Sequence, residues 1–495
     1  MASIQSSNTH GANVGYTYDD LDRLDTVVDN RLSGNNTTTY SYDPASNLAT
    51  AAYPNGLQSS FTYDTLNRLT AMNAGTASYS YQLGPTGNRT QSTESNGRTI
   101  NWTYDGIYRL TNESITSDPH SVDGSVAYGL DPVGNRLTES SSIAGINSGS
   151  YGYNADDEVS TETYDGNGNT LSAGGKSFTY DAENHLTGMS VSGTTVSVVY
   201  DAFGNRVAKT VNGVTTKYLV EDDVNPTGYP QVLDELTGSA VTRTYTYGLQ
   251  RISEDQIVNG TWTPSFYTYD GGGNVRQLTN LAGAVTDTNE YDAFGNLIAS
   301  SGTTPNAYLY RGEQFDPDLG LYYLRARYYN PATGRFMSRD PQGGDPTNPA
   351  SLHKYLYADG DPVNGVDRSG RADEEEQEGV ISWITNRAAT ALATLTAGAA
   401  QAAATLQYYA GLAYLTLNDF LAALAANEYV GAITKTLGCI TVGLMLDRML
   451  NEVDLSEQVK YAALFDYKAV CTLVIVAPWN GPDPEGPWGG GGDDF

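Results

Sequence analysis

The chain has 495 residues, which is enough for about three ordinary domains unless the chain is one continuous repeat array. Its 57 acidic and 27 basic residues give a net charge of -30, which argues against binding nucleic acid or anionic lipid through a basic surface. The composition combines 37 Tyr and 53 Gly with only 10 Phe, and this balance favours an extended β array over a helical globule.

The N-terminus and the two cysteines indicate how the protein could be exported and whether disulfides stabilise it. Residues 1–14 are polar, with no basic region followed by an apolar one, so no secretory signal peptide is visible. Export by a dedicated secretion machinery, or a chain that is a fragment, would account for this. Cys439 and Cys471 both lie near the C-terminus, so disulfides do not hold the first four-fifths together. They either pair with each other or remain buried thiols.

A Tyr-Asp motif recurs between residues 18 and 297 at a spacing of about 20 residues or a multiple of it. Copies begin at Tyr18, Tyr63, Tyr104, Leu130, Tyr180, Tyr200 and Tyr291. We expect the Asp carboxylate to cap a turn, and the Gly or Asn four residues after the Tyr to adopt a positive φ. Short alternating runs such as residues 38–42 precede the motif, so each copy predicts a β-hairpin corner.

A single hairpin cannot bury its apolar face alone, so the hairpins must stack into a continuous, solenoid-like sheet. We therefore predict a mainly β fold with a repeat shell over residues 1–300. The tyrosines are expected to pack in ladders along this sheet, and none is assigned a ligand.

Residues 301–371 form a denser block without the regular repeat. It contains Gly-Leu-Tyr-Tyr-Leu-Arg-Ala-Arg-Tyr-Tyr-Asn-Pro-Ala-Thr-Gly-Arg-Phe at residues 320–336. Two aspartate motifs follow, Asp340-Pro341 and Asp367-Arg368-Ser369-Gly370. This block is the most specific stretch of the sequence.

The composition changes again after Arg371. The acidic run at residues 373–376 predicts a solvated linker or a helix N-terminus. Long Ala- and Leu-rich segments then predict a mainly α domain over residues 372–480, and residues 481–495 form an acidic Gly/Pro-rich tail that is expected to be disordered. There is no His after His353 and no phosphate-binding loop, so this domain has no enzymatic signature. No cofactor and no metal are predicted.

Apolar segments within residues 388–446 raise the question of membrane contact. Residues 388–418 contain no charged side chain, but Gln401, Gln407 and Asn418 interrupt or end the run. A buried helical hairpin is therefore favoured, and a membrane-directed effector is the alternative.

Residues 320–336, preceded by the Tyr-Asp copies, closely resemble the repeat-associated core of RHS proteins. The repeats are similar to those of insecticidal toxin-complex C subunits and, more distantly, of teneurins. The resemblance covers residues 18–371 and implies a spiral β-sheet wound into a hollow cocoon that the core closes at one end. It further implies a bacterial protein that is secreted or displayed at the cell surface. An intramolecular aspartic protease is also implied, which cuts after the core and leaves a variable C-terminal domain, often a toxin, inside the shell.

The same resemblance assigns the protease residues. Its two motifs match Asp340 and Asp367 as the catalytic pair, and the cut would fall between Arg371 and Ala372. Two carboxyl groups sharing one proton can activate water and protonate the scissile carbonyl. Arg339 would hold one carboxylate charged or steady the oxyanion. The family's usual Asp-Pro-x-Gly-Leu is replaced here by an Arg at position 368 and another at 371. The alternative is that both aspartates only end strands as turn residues.

Three functions are consistent with these features. The first is a toxin-delivery shell that contains a C-terminal effector, with a cognate immunity protein as its partner. The second is a cell-surface recognition or adhesion protein, as the likeness to teneurins suggests. The third is a truncated remnant of a longer repeat protein with no active effector.

Overall fold

The computed structural model describes residues 2–341, 344, 349–371 and 374–375. Across these ranges the chain forms β-strands and three short 3-10 helices, with no α-helix, which confirms the predicted mainly β fold. No helix of this part of the chain has the length and hydropathy of a membrane span.

Several predictions lie outside the described residues. They are the mainly α domain of residues 372–480 apart from Glu374–Glu375, the acidic tail at 481–495, the apolar segments within 388–446, and the state of Cys439 and Cys471.

The first sheet is an antiparallel meander of 14 strands in chain order. Its strands are β1 Ala2–Gln5, β2 Asn13–Tyr18, β3 Leu24–Asp29, β4 Thr37–Tyr42, β5 Leu48–Ala52, β6 Gln58–Tyr63, β7 Leu69–Asn73, β8 Ser78–Leu83, β9 Arg89–Glu94, β10 Thr99–Tyr104, β11 Leu110–Thr116, β12 Gly124–Leu130, β13 Arg136–Ser141 and β14 Gly149–Ser150.

The second sheet repeats the same topology with another 14 strands. They are β15 Thr163–Tyr164, β16 Thr170–Ala173, β17 Lys176–Tyr180, β18 Leu186–Val191, β19 Thr194–Tyr200, β20 Arg206–Val211, β21 Val214–Glu221, β22 Gln231–Thr237, β23 Ala240–Tyr247, β24 Arg251–Val258, β25 Thr261–Tyr269, β26 Val275–Thr279, β27 Val285–Tyr291 and β28 Leu297–Ser301.

Each Tyr-Asp copy forms the corner of a hairpin. Tyr200 ends β19 and pairs with Arg206 of β20 across a five-residue loop, with a register shift at the Tyr. The fourth residue after the Tyr has a positive φ, as predicted, for example 81° at Gly204 and 62° at Asn67. The Asp201 carboxylate closes the loop by accepting hydrogen bonds from the main-chain N–H groups of Phe203 and Asn205, both at 2.9 Å.

The tyrosine of a copy bonds to the preceding hairpin instead of to its own corner. The Tyr200 hydroxyl donates to the carbonyl of Leu186, the first residue of the strand after the preceding corner, at 2.8 Å. The same bond recurs for Tyr42 to Leu24, Tyr63 to Leu48, Tyr269 to Arg251 and Tyr291 to Val275. The Asp therefore shapes the corner and the Tyr fixes successive hairpins to one another, which explains why the two residues recur together.

The two sheets also contact each other in layers. Partners across the layers are 170 to 228 residues apart in sequence, and later strands of the first sheet meet the same or later strands of the second. Examples are Ser6 with Asp234, Asp29 with Thr246, Asn55 with Thr279, Glu94 with Arg276, and Glu113 with Ala293. The chain thus winds as a spiral in which later hairpins lie against earlier ones.

The core segment, residues 301–371, packs on both sheets. Its elements are η1 Tyr310–Gly312, β29 Gln314–Asp316, β30 Leu321–Leu324, β31 Arg327–Asn330, β32 Arg335–Phe336, η2 Pro349–Leu352, η3 Ala358–Gly360 and β33 Gly365–Val366. β29 to β32 form a four-stranded antiparallel sheet. Its aromatic residues bury one another, as Tyr329 and Tyr357 do with ring centroids 4.2 Å apart. The Arg251 guanidinium on β24 lies over the ring of Tyr308 and so fastens the segment to the second sheet.

The acidic run at residues 373–376, predicted as a linker or a helix N-terminus, instead contributes a short strand, β34 Glu374–Glu375. It pairs antiparallel with β33, Val366 opposite Glu374. Residues 367–371 follow β33 directly, and we call them the release loop because they end at the predicted cut.

Candidate functional site

The side chain of Asp367, the first residue of the release loop, caps the loop with hydrogen bonds. This side chain is fully buried, and its Oδ1 accepts hydrogen bonds from Ser369 Oγ at 3.0 Å, Gly370 N at 2.7 Å and Arg371 N at 3.2 Å. The carboxylate therefore fixes the main chain immediately before the peptide bond between residues 371 and 372.

The hairpin turn between β30 and β31 holds the other side of the release loop. Three consecutive loop carbonyls accept hydrogen bonds from three consecutive residues of this turn: Arg368 O from Arg325 Nη1 at 2.5 Å, Ser369 O from Ala326 N at 3.2 Å, and Gly370 O from Arg327 Nε. The Arg-Ala-Arg sequence thus binds the loop residue by residue.

Gly370 is required by this fit. Its φ is +68°, a conformation that other residues adopt only with strain. A Cβ at this position would also overlap the carbonyl oxygen of Leu324 and lie 2.9 Å from Arg327 N. Only glycine lets the release loop approach the turn this closely.

The two predicted aspartates meet at a single arginine. Arg327 Nη2 lies 2.8 Å from Asp340 Oδ2 and 3.1 Å from Asp367 Oδ2, so one guanidinium bridges both carboxylates. The Asp340 side chain remains 16% exposed, whereas Asp367 is inaccessible to solvent. The main chain of Asp340 is fixed by a hydrogen bond from its N–H to the Lys354 carbonyl at 2.8 Å.

Sequence reasoning did not identify Arg327. The signal was its place at the start of a strand of buried tyrosines, where a cation must find anionic partners to be tolerated. The flat face of the guanidinium lies 3.6 Å from the ring centroid of Phe336, which further fixes its position.

The structure shows the surroundings of Arg339 and one side of the predicted cut. Arg339 lies beside the corner at Gly168, and it forms an ion pair with Asp156 at 3.1 Å. Its role next to the carboxylates stays a prediction. Arg371 is exposed, and Ala372 lies outside the described residues, so the predicted scissile bond is described on one side only.

The site brings two carboxyl groups and one guanidinium within ion-pair distance of one another. A guanidinium does not give up its proton in proteins, so any proton transfer at this site falls to the carboxyl groups. Neither aspartate belongs to a cluster with metal-ligand spacing among the described residues. The groups at the site are thus a solvent-accessible carboxyl group, that of Asp340, and a buried carboxyl group and guanidinium that hold the loop.

Comparison with known proteins gives the family. Residues 127–363 match the Teneurin YD-shell family. The chain is 36% identical over 380 residues to the tRNA3(Ser)-specific nuclease WapA of Bacillus spizizenii, covering 73% of this chain and 16% of that protein. It is 35% identical over 377 residues to the tRNA nuclease WapA of Bacillus subtilis, again covering 73% and 16%. The chain therefore spans about one-sixth of the length of the curated relatives it matches.

A solved structure shares the fold. The crystal structure of TcdB2-TccC3 without its hypervariable C-terminal region superposes with a TM-score of 0.60 at 17% identity, over 73% of this chain and 20% of that one. These similarities agree with the observed spiral of Tyr-Asp hairpins and with the packed core segment. This chain belongs to the RHS/YD-repeat family and folds as a YD shell.

Proposed function

We propose that this protein is a toxin-delivery shell that frees its C-terminal region by one intramolecular cut between Arg371 and Ala372. The observation that carries the proposal is the bridging of Asp340 and Asp367 by Arg327, next to a release loop held like a bound peptide. The coarser part, a shell that delivers a toxin, is also supported by the WapA relatives and by the fold shared with TcdB2-TccC3.

In this proposal residues 372–495 are the effector, and the repeat sheets with the core segment are its carrier. A cognate immunity protein would bind the effector in the producing cell, and a secretion machinery would export the protein to the medium or the cell surface. Two relatives are named as tRNA nucleases.

Hydrolysis proceeds without a covalent intermediate. Asp340 takes a proton from a water molecule, and the water oxygen bonds to the carbonyl carbon of Arg371. Arg327 offsets the negative charge that develops on the carbonyl oxygen. The proton then passes from Asp340 to the nitrogen of Ala372 as the C–N bond breaks, which leaves a carboxylic acid on residue 371 and a free amine on residue 372. The acid then gives its proton to the amine through solvent, so the products are a carboxylate and an ammonium group.

The two aspartates have different tasks in this scheme. Asp340 is the base because its side chain is accessible to water. Asp367 already accepts three hydrogen bonds from the release loop on one oxygen and contacts Arg327 with the other. It therefore acts as a positioning residue that presents the bond to be cut.

The two departures from the usual family motif fit the same arrangement. Arg371 is exposed, so its cationic side chain stays in solvent and is not forced into an apolar cleft. Arg368 replaces a proline, and its carbonyl accepts the hydrogen bond from Arg325 that begins the contact with the turn. The main chain of the loop is held at both positions without proline or an apolar anchor.

Size measurements under native and denaturing conditions test the carrier function. We expect the purified protein to run as two polypeptides in denaturant and as one particle in native size exclusion, because the shell retains what it has cut. Asp367→Asn should give one polypeptide in both. Two separate species under native conditions would contradict retention, and one uncut chain in the wild type would contradict release.

A further inference from the structure

Three side chains from two layers of the shell converge away from the release loop. Asp118 and His120 lie in the turn between β11 and β12, and Glu290 lies on β27, 170 residues after His120. His120 Nδ1 is 2.9 Å from Glu290 Oε1 and 4.0 Å from Asp118 Oδ1. One ligand atom from each residue lies within 4.8 Å of the others, which is metal-ligand spacing.

The carboxylates of this cluster are buried and incompletely satisfied. The side chains of Asp118 and Glu290 are 0% and 4% exposed. Glu290 Oε2 is buried and has no hydrogen-bond partner among the described residues. Leaving a carboxylate oxygen unpaired away from water is costly, so a ligand at this position has a physical reason to bind.

The surrounding charges favour a cation. The carboxylates of the cluster and of its immediate neighbour are Asp118, Glu290 and Glu94, and the guanidiniums that pair with them are Arg98 and Arg276. Three negative charges against two positive ones leave a negative surplus, which favours a cation.

A cavity adjoins the cluster. It has a volume of about 110 Å³, and its lining includes His120, Glu290 and Thr288. This volume holds water molecules. A metal ion bound by three protein ligands could complete its coordination with water from this cavity.

We propose that Asp118, His120 and Glu290 bind a divalent transition-metal ion, with Zn²⁺ as the best fit, and that the ion ties two layers of the spiral together. One imidazole nitrogen and two carboxylate oxygens form a ligand set that suits zinc, with the fourth position left to water. Arg98 Nε, 2.8 Å from Asp118 Oδ2, orients that ligand from the outer shell. The site does not depend on the proposed release reaction.

A second His-carboxylate cluster provides a matched control. Asp181, Glu183 and His185 also have metal-ligand spacing, but they lie within one corner, and the Glu183 side chain is 80% exposed. The Asp181 carboxylate already caps its own corner through the N–H groups of Glu183 and His185. This cluster is satisfied by the hairpin, so we expect no ion there.

Zinc titration of the full chain tests the site. Chelator-treated protein is titrated with ZnCl₂ at neutral pH by calorimetry, and the thermal midpoint is followed in parallel. We expect wild type and His185→Ala to bind one more equivalent than His120→Ala and Glu290→Gln, and to gain thermal stability from it. Loss of an outer-shell partner typically weakens metal binding about 10- to 100-fold. Loss of a direct ligand should weaken zinc binding at least as much.

Comparing variants removes any contribution from Cys439 and Cys471, which all four proteins share. Glu290→Gln keeps the shape of the side chain and guards against a folding defect in His120→Ala. Equal zinc binding by wild type and both ligand variants would overturn the proposal. So would the absence of zinc binding in the wild type, or loss of the equivalent in His185→Ala alone.

Discussion

Arg276 on β26 forms a bidentate ion pair with Glu94 on β9, at 2.9 and 3.0 Å, although 182 residues separate them. Both side chains are buried, and Arg98 contacts the same carboxylate at 3.0 Å. Neighbouring layers of the spiral are thus joined by buried charges as well as by apolar packing.

Replacing Arg276 should destabilise the shell strongly. Arg276→Met leaves Glu94 buried with half of its partners, and breaking a buried pair in this way costs about 3–5 kcal/mol of unfolding free energy. Urea denaturation measures the loss. The control is Arg23→Met, because the ion pair of Arg23 with Asp19 is open to solvent and a surface pair of this kind contributes little to stability. Similar losses in both variants would contradict the role given to the layer contact.

Tyr200→Phe tests the bond between successive hairpins. It removes the hydroxyl that donates to the Leu186 carbonyl at 2.8 Å, and we expect a loss of about 1 kcal/mol in unfolding free energy. Tyr108→Phe should have no measurable effect, because Tyr108 lies exposed in a corner. The idea that the repeated tyrosines fix one hairpin to the next fails if the two variants are equally stable.

The local part of this structure was predictable from the sequence, and the long-range part was not. The corner at Tyr200-Asp201 follows from turn chemistry within seven residues, and so does the positive φ of Gly204. Asp340 and Asp367 were assigned from the resemblance to the family motifs, and their catalytic role stays a prediction. The position of Arg327 beside buried tyrosines shows only that it needs anionic partners, and neither those partners nor the pairing of Glu94 with Arg276 has a local signal, because they meet only when the chain winds past itself.

Stability of the shell should increase as the pH falls from about 8 to about 5. Burial raises the pKa of Glu254 from 4.5 to about 7, and burial beside Asp292 raises the pKa of Glu113 in the same direction. An acid with a higher pKa in the folded state binds its proton more tightly there than in the unfolded chain. Its contribution to the free energy of unfolding is therefore fully present below pH 4.5 and is lost as the pH rises through about 7. For Glu254 this contribution amounts to ~3 kcal/mol.

Glu254→Gln isolates this effect. The variant cannot ionise, so its thermal midpoint should depend less on pH than that of the wild type between about pH 5 and pH 8. Glu183→Gln, at an exposed corner, serves as the control and should keep the wild-type slope. An unchanged slope in Glu254→Gln would show that this carboxyl ionises normally in the folded shell.

Gly370→Ala should stop the cut while leaving the shell folded. The added Cβ would strain the positive φ and push the release loop away from Leu324 and Arg327. Gly97→Ala is the matched control, since Gly97 also has a positive φ but open space around it. Cleavage is followed on denaturing gels over time. Wild-type cleavage in Gly370→Ala would mean that the close fit of loop and turn is not needed.

The intact mass of the purified chain tests the release reaction most directly, in the wild type and in the Asp340→Asn and Asp367→Asn variants. The wild type should give two masses, those of residues 1–371 and 372–495, and each variant should give only the mass of the full chain. A full-length mass for the wild type, or the same two fragments from either variant, would contradict an intramolecular cut by this pair.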